Sequence, residues 1–138
     1  MEVKFRIWDN QQQKFFRPIF DASNGNLDEL LISLKGDLIR RRITENGNEI
    51  LEHESCFPNR FVKSIFTGLK DKNGKEIYLG DVLINPYEKK DEVVFTENGF
   101  YGKAKNKNHI VLNPLCDNYL ENKEIIGNIY ENKDLLKS

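Results

Sequence analysis

His53, Cys56, His109 and Cys116 are the residues of this chain that could ligate zinc or carry a nucleophile. Zinc sites want four nitrogen or sulfur ligands in a tetrahedron, often supplied as closely spaced pairs. His53-x-x-Cys56 has a tolerable spacing, but His109 and Cys116 lie too far apart along the chain to form the second half of a knuckle. The same four residues can be read as a Cys–His nucleophile pair. However, neither cysteine follows a glycine elbow or opens an evident helix that would lower its thiol pKa. Carboxylate pairs occur at Glu52/Glu54 and Asp91/Glu92, in charged stretches that read as solvated, where nothing desolvates one carboxyl enough to make it an acid. No P-loop or dinucleotide-binding glycine pattern is present, and Gly99-x-x-Gly102 falls within a strand pairing. The expectation is a protein without catalytic residues, metal or cofactor.

The sharper pattern is basic. Lys103, Lys105 and Lys107 alternate, so on a strand all three project from one face, and Phe100 and Tyr101 lie close by. Arg40, Arg41 and Arg42 form a second cluster. Aromatic and basic residues on one face of a small barrel can bind single strands by stacking and backbone contacts. Lysines also guard edge strands against aggregation. The overall balance is 21 basic against 22 acidic side chains, whereas a non-specific nucleic-acid binder carries a basic excess. Nucleic-acid binding is therefore the second reading.

The elements that must position these residues are mostly strands. Asn-Gly occurs at 24–25, 46–47, 73–74 and 98–99, and both residues tolerate the positive φ that a two-residue type I′ hairpin turn needs. Around Asn98-Gly99 the flanks Glu92–Thr96 and Phe100–Lys103 are β-branched or aromatic, the best hairpin in the chain. Around Asn46-Gly47, Leu38–Glu45 and Asn48–Glu54 would pair with Ile43 facing Ile50. Asn73-Gly74 reads as an exposed turn entering a short strand, and Asn24-Gly25 as a plain turn. Alternation marks further strands at the N-terminus (Val3, Phe5 and Ile7 on one face), at Phe61–Phe66, Asp81–Ile84, His109–Leu112 and Glu124–Tyr130. Pro18 interrupts Lys14–Phe20, which suits an edge or bend. Residues 27–35 fit either a short helix capped by Asn26 or a strand. Single helical turns fit Pro114–Leu120 and Asp134–Leu136.

At 138 residues, with 38% apolar and 31% charged residues, the chain is sized and balanced for one globular domain. A loop near Phe57–Arg60 would separate an N-terminal β meander, 1–60, from a barrel-like half, 61–138. The fold class is mostly β: antiparallel strands, an SH3-like small barrel in the C-terminal half, and short helical turns. No run approaches the length of a membrane span, and the N-terminus has no signal-peptide pattern, so a cytosolic protein with no membrane partner is expected. Two cysteines make no disulfide framework, and buried thiols are expected.

Three segments carry a recognisable pattern. They are Val3-Lys4-Phe5-Arg6-Ile7-Trp8-Asp9, then Phe66-Thr67-Gly68-Leu69-Lys70-Asp71-Lys72-Asn73-Gly74-Lys75-Glu76-Ile77-Tyr78-Leu79-Gly80-Asp81-Val82, and last Ile125-Ile126-Gly127-Asn128-Ile129-Tyr130-Glu131-Asn132 with Asp134-Leu135-Leu136. In this order they resemble the YopX family of phage and prophage proteins, the middle segment being the most specific. The resemblance implies a β-rich fold and a bacterial, prophage or phage source. It carries over no activity. The motif residues read as fold chemistry: Gly68 and Gly80 as positive-φ positions, Asp71 and Asn73 as turn caps, Asp81 bonding its own turn. Tyr78 and Tyr130 would pack their rings inward with hydroxyls at polar rims. Trp8, Asp9, Thr67, Leu69, Gly74, Gly127 and Asn128 complete the set. The functional expectation is a non-enzymatic phage accessory protein in the bacterial cytosol, acting through protein–protein contacts and as a homo-oligomer.

Overall fold

The computed structural model describes residues 4–137, so Val3 lies outside the described residues. Thirteen strands follow in order: β1 Phe5–Asp9, β2 Lys14–Phe15, β3 Ile19–Asp21, β4 Asn26–Ile32, β5 Leu38–Ile43, β6 Glu49–His53, β7 Phe61–Lys70, β8 Glu76–Tyr78, β9 Asp81–Ile84, β10 Lys90–Thr96, β11 Gly99–Asn106, β12 His109–Pro114 and β13 Glu124–Asn128. The helix α1, Asp117–Leu120, is a single turn between β12 and β13. The fold is mostly β, with antiparallel sheets and one sheet curled into a half-barrel. No helix among the described residues is long and apolar enough to cross a membrane.

The chain forms two compact units, one of residues 7–62 and the other of residues 1–6 with 63–138. In the first, β3, β4, β5 and β6 make a four-stranded antiparallel meander. Residues 27–35, open between helix and strand on sequence, are mostly β4, because cross-strand pairs hold them extended: Leu31 faces Ile39 and Glu29 faces Arg41. The hairpin over Asn46-Gly47 forms one residue out of the expected register, with Ile43 opposite Glu49 and Ile50 opposite Arg42.

In the second unit the order β12-β11-β10-β9-β13 makes the five-stranded half-barrel. Its core is Ile77, Leu83, Val93 and Leu120, with Leu69, Leu79, Leu115, Tyr119 and Ile125 packed around. The β10–β11 hairpin has the expected flanks, Val93 opposite Gly102 and Phe95 opposite Phe100, but its two-residue loop is Glu97-Asn98 and Gly99 already belongs to β11.

The shift at Asn46-Gly47 follows from the turn geometry. No asparagine of an Asn-Gly step has positive φ; only the glycine does. Four turns share one geometry instead, at 33–37, 44–48, 71–75 and 85–89. In each, the first residue's N–H donates to the fifth residue's carbonyl, and the fourth residue's N–H donates to the first residue's carbonyl. The first residues are Ser33, Thr44, Asp71 and Asn85, and each side-chain oxygen accepts the fifth residue's N–H. These are three-residue loops with a type I turn and a left-handed fourth residue, rather than type I′ turns. A Ser, Thr, Asp or Asn three residues before the left-handed position is thus the better local signal.

Candidate functional site

The motif residues of the second unit gather around one buried carboxylate. Asp81, at the start of β9, is 3% exposed and accepts the Tyr78 N–H at 2.7 Å, bonding its own turn as expected. Its other oxygen accepts Nη2 of Arg6 at 2.7 Å, while Arg6 Nε donates to Ser64 Oγ at 3.0 Å. The Ser64 hydroxyl in turn donates to the Leu79 carbonyl at 2.6 Å. The Arg6 guanidinium lies 4.9 Å from the centre of the Tyr78 ring, close enough for cation–π attraction. Burial pushes the Asp81 carboxyl above its ordinary value, against the pull of the Tyr78 amide and the Arg6 charge. Sequence reasoning passed over Arg6 and Ser64. Arg6 lay in the quoted N-terminal segment, and alternation from Phe61 put Ser64 on the face where it now sits.

Asp71 does more than cap a turn. One oxygen accepts the N–H groups of Asn73 and Lys75, both at 2.9 Å, and the other accepts the Ile125 N–H at 3.0 Å, tying the β7–β8 turn to β13. Burial alone would raise this carboxyl, but the Ile125, Lys75 and Asn73 amides outweigh it and hold it below its ordinary value. Asn73 points its side chain to Glu124 instead of capping. Thr67 sits in the irregular middle of β7, with Gly68 and Leu69 beside it, and donates to the Ile77 carbonyl at 2.8 Å. Asn128 accepts the Tyr130 and Glu131 N–H groups at 3.0 and 2.8 Å, closing the turn after the irregular Ile125–Gly127 stretch of β13. At Gly80, φ is +87° and a Cβ would stand 2.6 Å from the Tyr130 ring, so the motif glycine and the motif tyrosine are two halves of one contact.

In the unit of residues 7–62, Trp8 is buried with its ring edge-on to Phe15 at 5.1 Å. Asp9, 1% exposed, takes both Nε and Nη2 of Arg60 at 3.1 and 3.0 Å and accepts the N–H of Gln11 at 2.9 Å. Burial would raise Asp9, yet the Arg60 bond and the Gln12 and Gln11 amides bring it below its ordinary value. Nearly every polar motif side chain is thus bonded to backbone or to an opposite charge. Tyr78, Asp81, Gly127 and Asn128 also border, with Arg6 and Glu131, a cleft of about 420 Å³.

The family described as YopX protein matches residues 4–137. The chain belongs to the YopX family. Two solved structures align along nearly its whole length. Protein EF1440 from Enterococcus faecalis is 25% identical, covers 99% of each chain and has a TM-score of 0.51. Protein yopX from Bacillus subtilis is 18% identical, covers 96% of this chain and 97% of its own, and has a TM-score of 0.55. No curated protein matches.

The basic residues of this YopX-family chain are placed unevenly. Arg40, Arg41 and Arg42 lie on β5 in the first unit, each on a carboxylate of its own sheet. Arg40 makes a two-pronged contact with Asp28 at 2.9 and 2.7 Å. Arg41 bridges Glu49 and Glu29 at 2.6 and 3.1 Å, and Arg42 reaches Glu52 at 2.6 Å. Lys103 and Lys105 share one face of β11 in the second unit, with Glu92 directly opposite Lys103. Lys107 does not join them, because β11 ends at Asn106 and Lys107 occupies the next turn with φ +49°.

Other side chains correct the sequence reading. Cys56 and Cys116 are exposed rather than buried, one in the short turn 54–56 and the other just before α1. His53 keeps company with Asp37 and Glu54 rather than with Cys56; its Nδ1 accepts the Ser55 N–H at 3.0 Å, and Glu54 accepts the Leu38 N–H. Asp91 is not solvated: it is 4% exposed, because alternation along β10 turns it inward and Glu92 outward. Sequence reasoning also missed the weight of β12, the outer strand of the half-barrel. Its residues Ile110, Val111 and Leu112 are 60%, 44% and 44% exposed, and none of His109–Pro114 carries a formal charge.

Proposed function

We propose that this protein is a non-enzymatic accessory protein of a phage or prophage, working in the bacterial cytosol through protein–protein contact, first of all with copies of itself. The observation that carries the reading is β12. It is an outer strand of six residues with three large apolar side chains open to solvent and no charge along it. Outer strands offer unpaired N–H and C=O groups, and proteins that stay single guard them with lysine, proline or a covering element. Here the proline, Pro114, stands only at the strand's end. The ion-paired arginines of β5 also favour contact over chemistry, since their charges hold a sheet together.

Light scattering behind size-exclusion chromatography tests this directly. The wild-type chain is expected to run as an oligomer of defined mass, and Ile110→Lys with Leu112→Lys to run as a folded monomer with an unchanged far-ultraviolet spectrum. A wild-type monomer at every concentration up to the sub-millimolar range would remove self-association from the reading.

A further inference from the structure

The half-barrel unit holds a buried ion pair that borders a cleft. Asp91 of β10 and Lys123, just after α1, keep only 6% and 10% of their side chains exposed, with Lys123 Nζ 3.4 Å from Asp91 Oδ2. Tyr119 donates its hydroxyl to the same oxygen, and its ring lies 4.5 Å beneath the Lys123 ammonium. That ring fills the space a side chain at position 102 would take, which Gly102 leaves open. Burial and the Asp91 carboxylate push the Tyr119 phenol far up, so its hydroxyl stays a donor.

An ammonium has three N–H donors and a carboxylate two oxygens. Beyond the contacts above, Lys123 Nζ and Asp91 Oδ1 have no hydrogen-bond partner among the described residues. Among the described residues no buried side-chain nitrogen or oxygen lacks a partner, so the bonding capacity left on this pair faces the cleft. Both line a cleft of about 440 Å³, together with Lys89, Asn85, Asn106, Asn113 and Val111. Lys89, the last residue of the turn that leads into β10, lines the same cleft. Lys90, one residue on, instead sends its ammonium to the Leu135 carbonyl at 2.9 Å. The floor of the cleft therefore offers donors beside an accessible acceptor, further cations in Lys89 and Lys105, and the amides of Asn106 and Asn113; the Asn85 oxygen is held by the Tyr87 and Lys89 N–H groups, which leaves its Nδ2 to donate.

We propose that this cleft binds a small phosphate-bearing polyol of the sugar-phosphate class, the phosphate between Lys123 and Lys89 and a neighbouring hydroxyl on Asp91 Oδ1. Two ammonium groups suit a phosphate, whose oxygens accept charge-assisted bonds. A bare carboxylate oxygen beside them selects a ligand that also donates. The volume falls in the range of small-ligand pockets, and no aromatic ring lines the cleft to stack a base.

Amide-detected NMR titration tests the site. Ribose 5-phosphate is expected to shift the side-chain amides of Asn85, Asn106 and Asn113 saturably, and more tightly than inorganic phosphate or ribose alone. Lys89→Ala, in an exposed turn, should weaken binding by about tenfold, as for one lost charge-assisted contact. Lys123→Met should abolish it, with the rest of the spectrum reporting whether the fold survives. Asp91→Asn should keep phosphate binding while losing the preference for the sugar phosphate. Absence of amide shifts at millimolar ligand, or shifts indifferent to Lys89→Ala, overturns the proposal. Tighter binding of a 5′-phosphorylated single-stranded oligonucleotide overturns the small-molecule assignment.

Discussion

Glu88 occupies the place in its turn that Gly74 occupies in the turn of Asp71, with φ +63° against +81°. The two turns share the same internal hydrogen bonds, and at the left-handed position they differ in residue type. A left-handed conformation costs a residue with a Cβ roughly 1–2 kcal/mol, and glycine returns about 0.5–1 kcal/mol of that through its freer unfolded state. Glu88→Gly is therefore expected to stabilise by about 0.5 kcal/mol, and Gly74→Ala to destabilise by about 1 kcal/mol or more. Urea midpoints at constant slope measure both. A lowered midpoint for Glu88→Gly would mean that the side chain contributes a contact that outweighs its backbone strain.

Asp71 predicts an acid limit. Its folded pKa is held below the ordinary 3.8, so its contribution is fully present above that value and lost as pH falls through the folded one. Asp9 acts in the same sense. Asp71→Asn leaves one amide NH₂ facing a backbone N–H, either at Ile125 or in the turn, at a cost of about 1–3 kcal/mol. The variant should be less stable than wild type at neutral pH and lose less on acidification below pH 3.8. Parallel stability curves for the two proteins across that range would exclude Asp71 as a source of the acid sensitivity.

The β character of the chain was legible because alternation and turn residues are local signals. Phe61–Phe66, Asp81–Ile84 and the β10–β11 hairpin all follow from them. Register was not, because the first residue of each turn decides it: Thr44 and Asp71 set the loop length through their side-chain oxygens, a bond that an Asn-Gly step does not reveal. Charge pairs across strands were hidden for the same reason. Arg40–Arg42 read as a basic cluster until β4 and β6 bring Asp28, Glu29, Glu49 and Glu52 beside them. The Asp91–Lys123 pair joins residues far apart in sequence, and only the fold brings them together and covers both.

The arginines of β5 should differ in what they hold. Arg40 has 11% of its side chain exposed, bonds Asp28 through two nitrogens and lies 5.1 Å from the Phe57 ring centre. Removing it leaves a half-covered carboxylate and uncovers aromatic surface, so Arg40→Ala is expected to cost about 2 kcal/mol. Arg41 is far more open, and Arg41→Ala should fall close to wild type, since exposed pairs are screened by water and salt. Thermal unfolding of both variants at low and high salt checks the ranking. Equal losses would mean that the Asp28 contact is no stronger than a surface pair.

Arg6 and Asp81 allow a test in which pH itself is the reporter. Arg6→Met removes the only side-chain cation hydrogen-bonded to Asp81 among the described residues and leaves a carboxylate with 4% of its side chain exposed. Breaking a buried pair from one side costs about 3–5 kcal/mol, because the remaining charge is uncompensated. The Asp81 pKa is already raised by burial, and losing Arg6 removes a term that lowers it, so it must rise further. For a carboxyl with a raised folded pKa, the sign is opposite to that of Asp71: stability is fully present below the ordinary value and lost as pH rises through the folded one. The deficit of Arg6→Met should therefore be largest at neutral pH and shrink as pH approaches about 4, before Asp9 and Asp71 begin to lose their own contributions. Chemical unfolding of wild type and variant at several pH values across that window measures the effect. A deficit independent of pH would assign the loss to packing of the Arg6 stem on Tyr78 and Ser64 rather than to the stranded charge of Asp81.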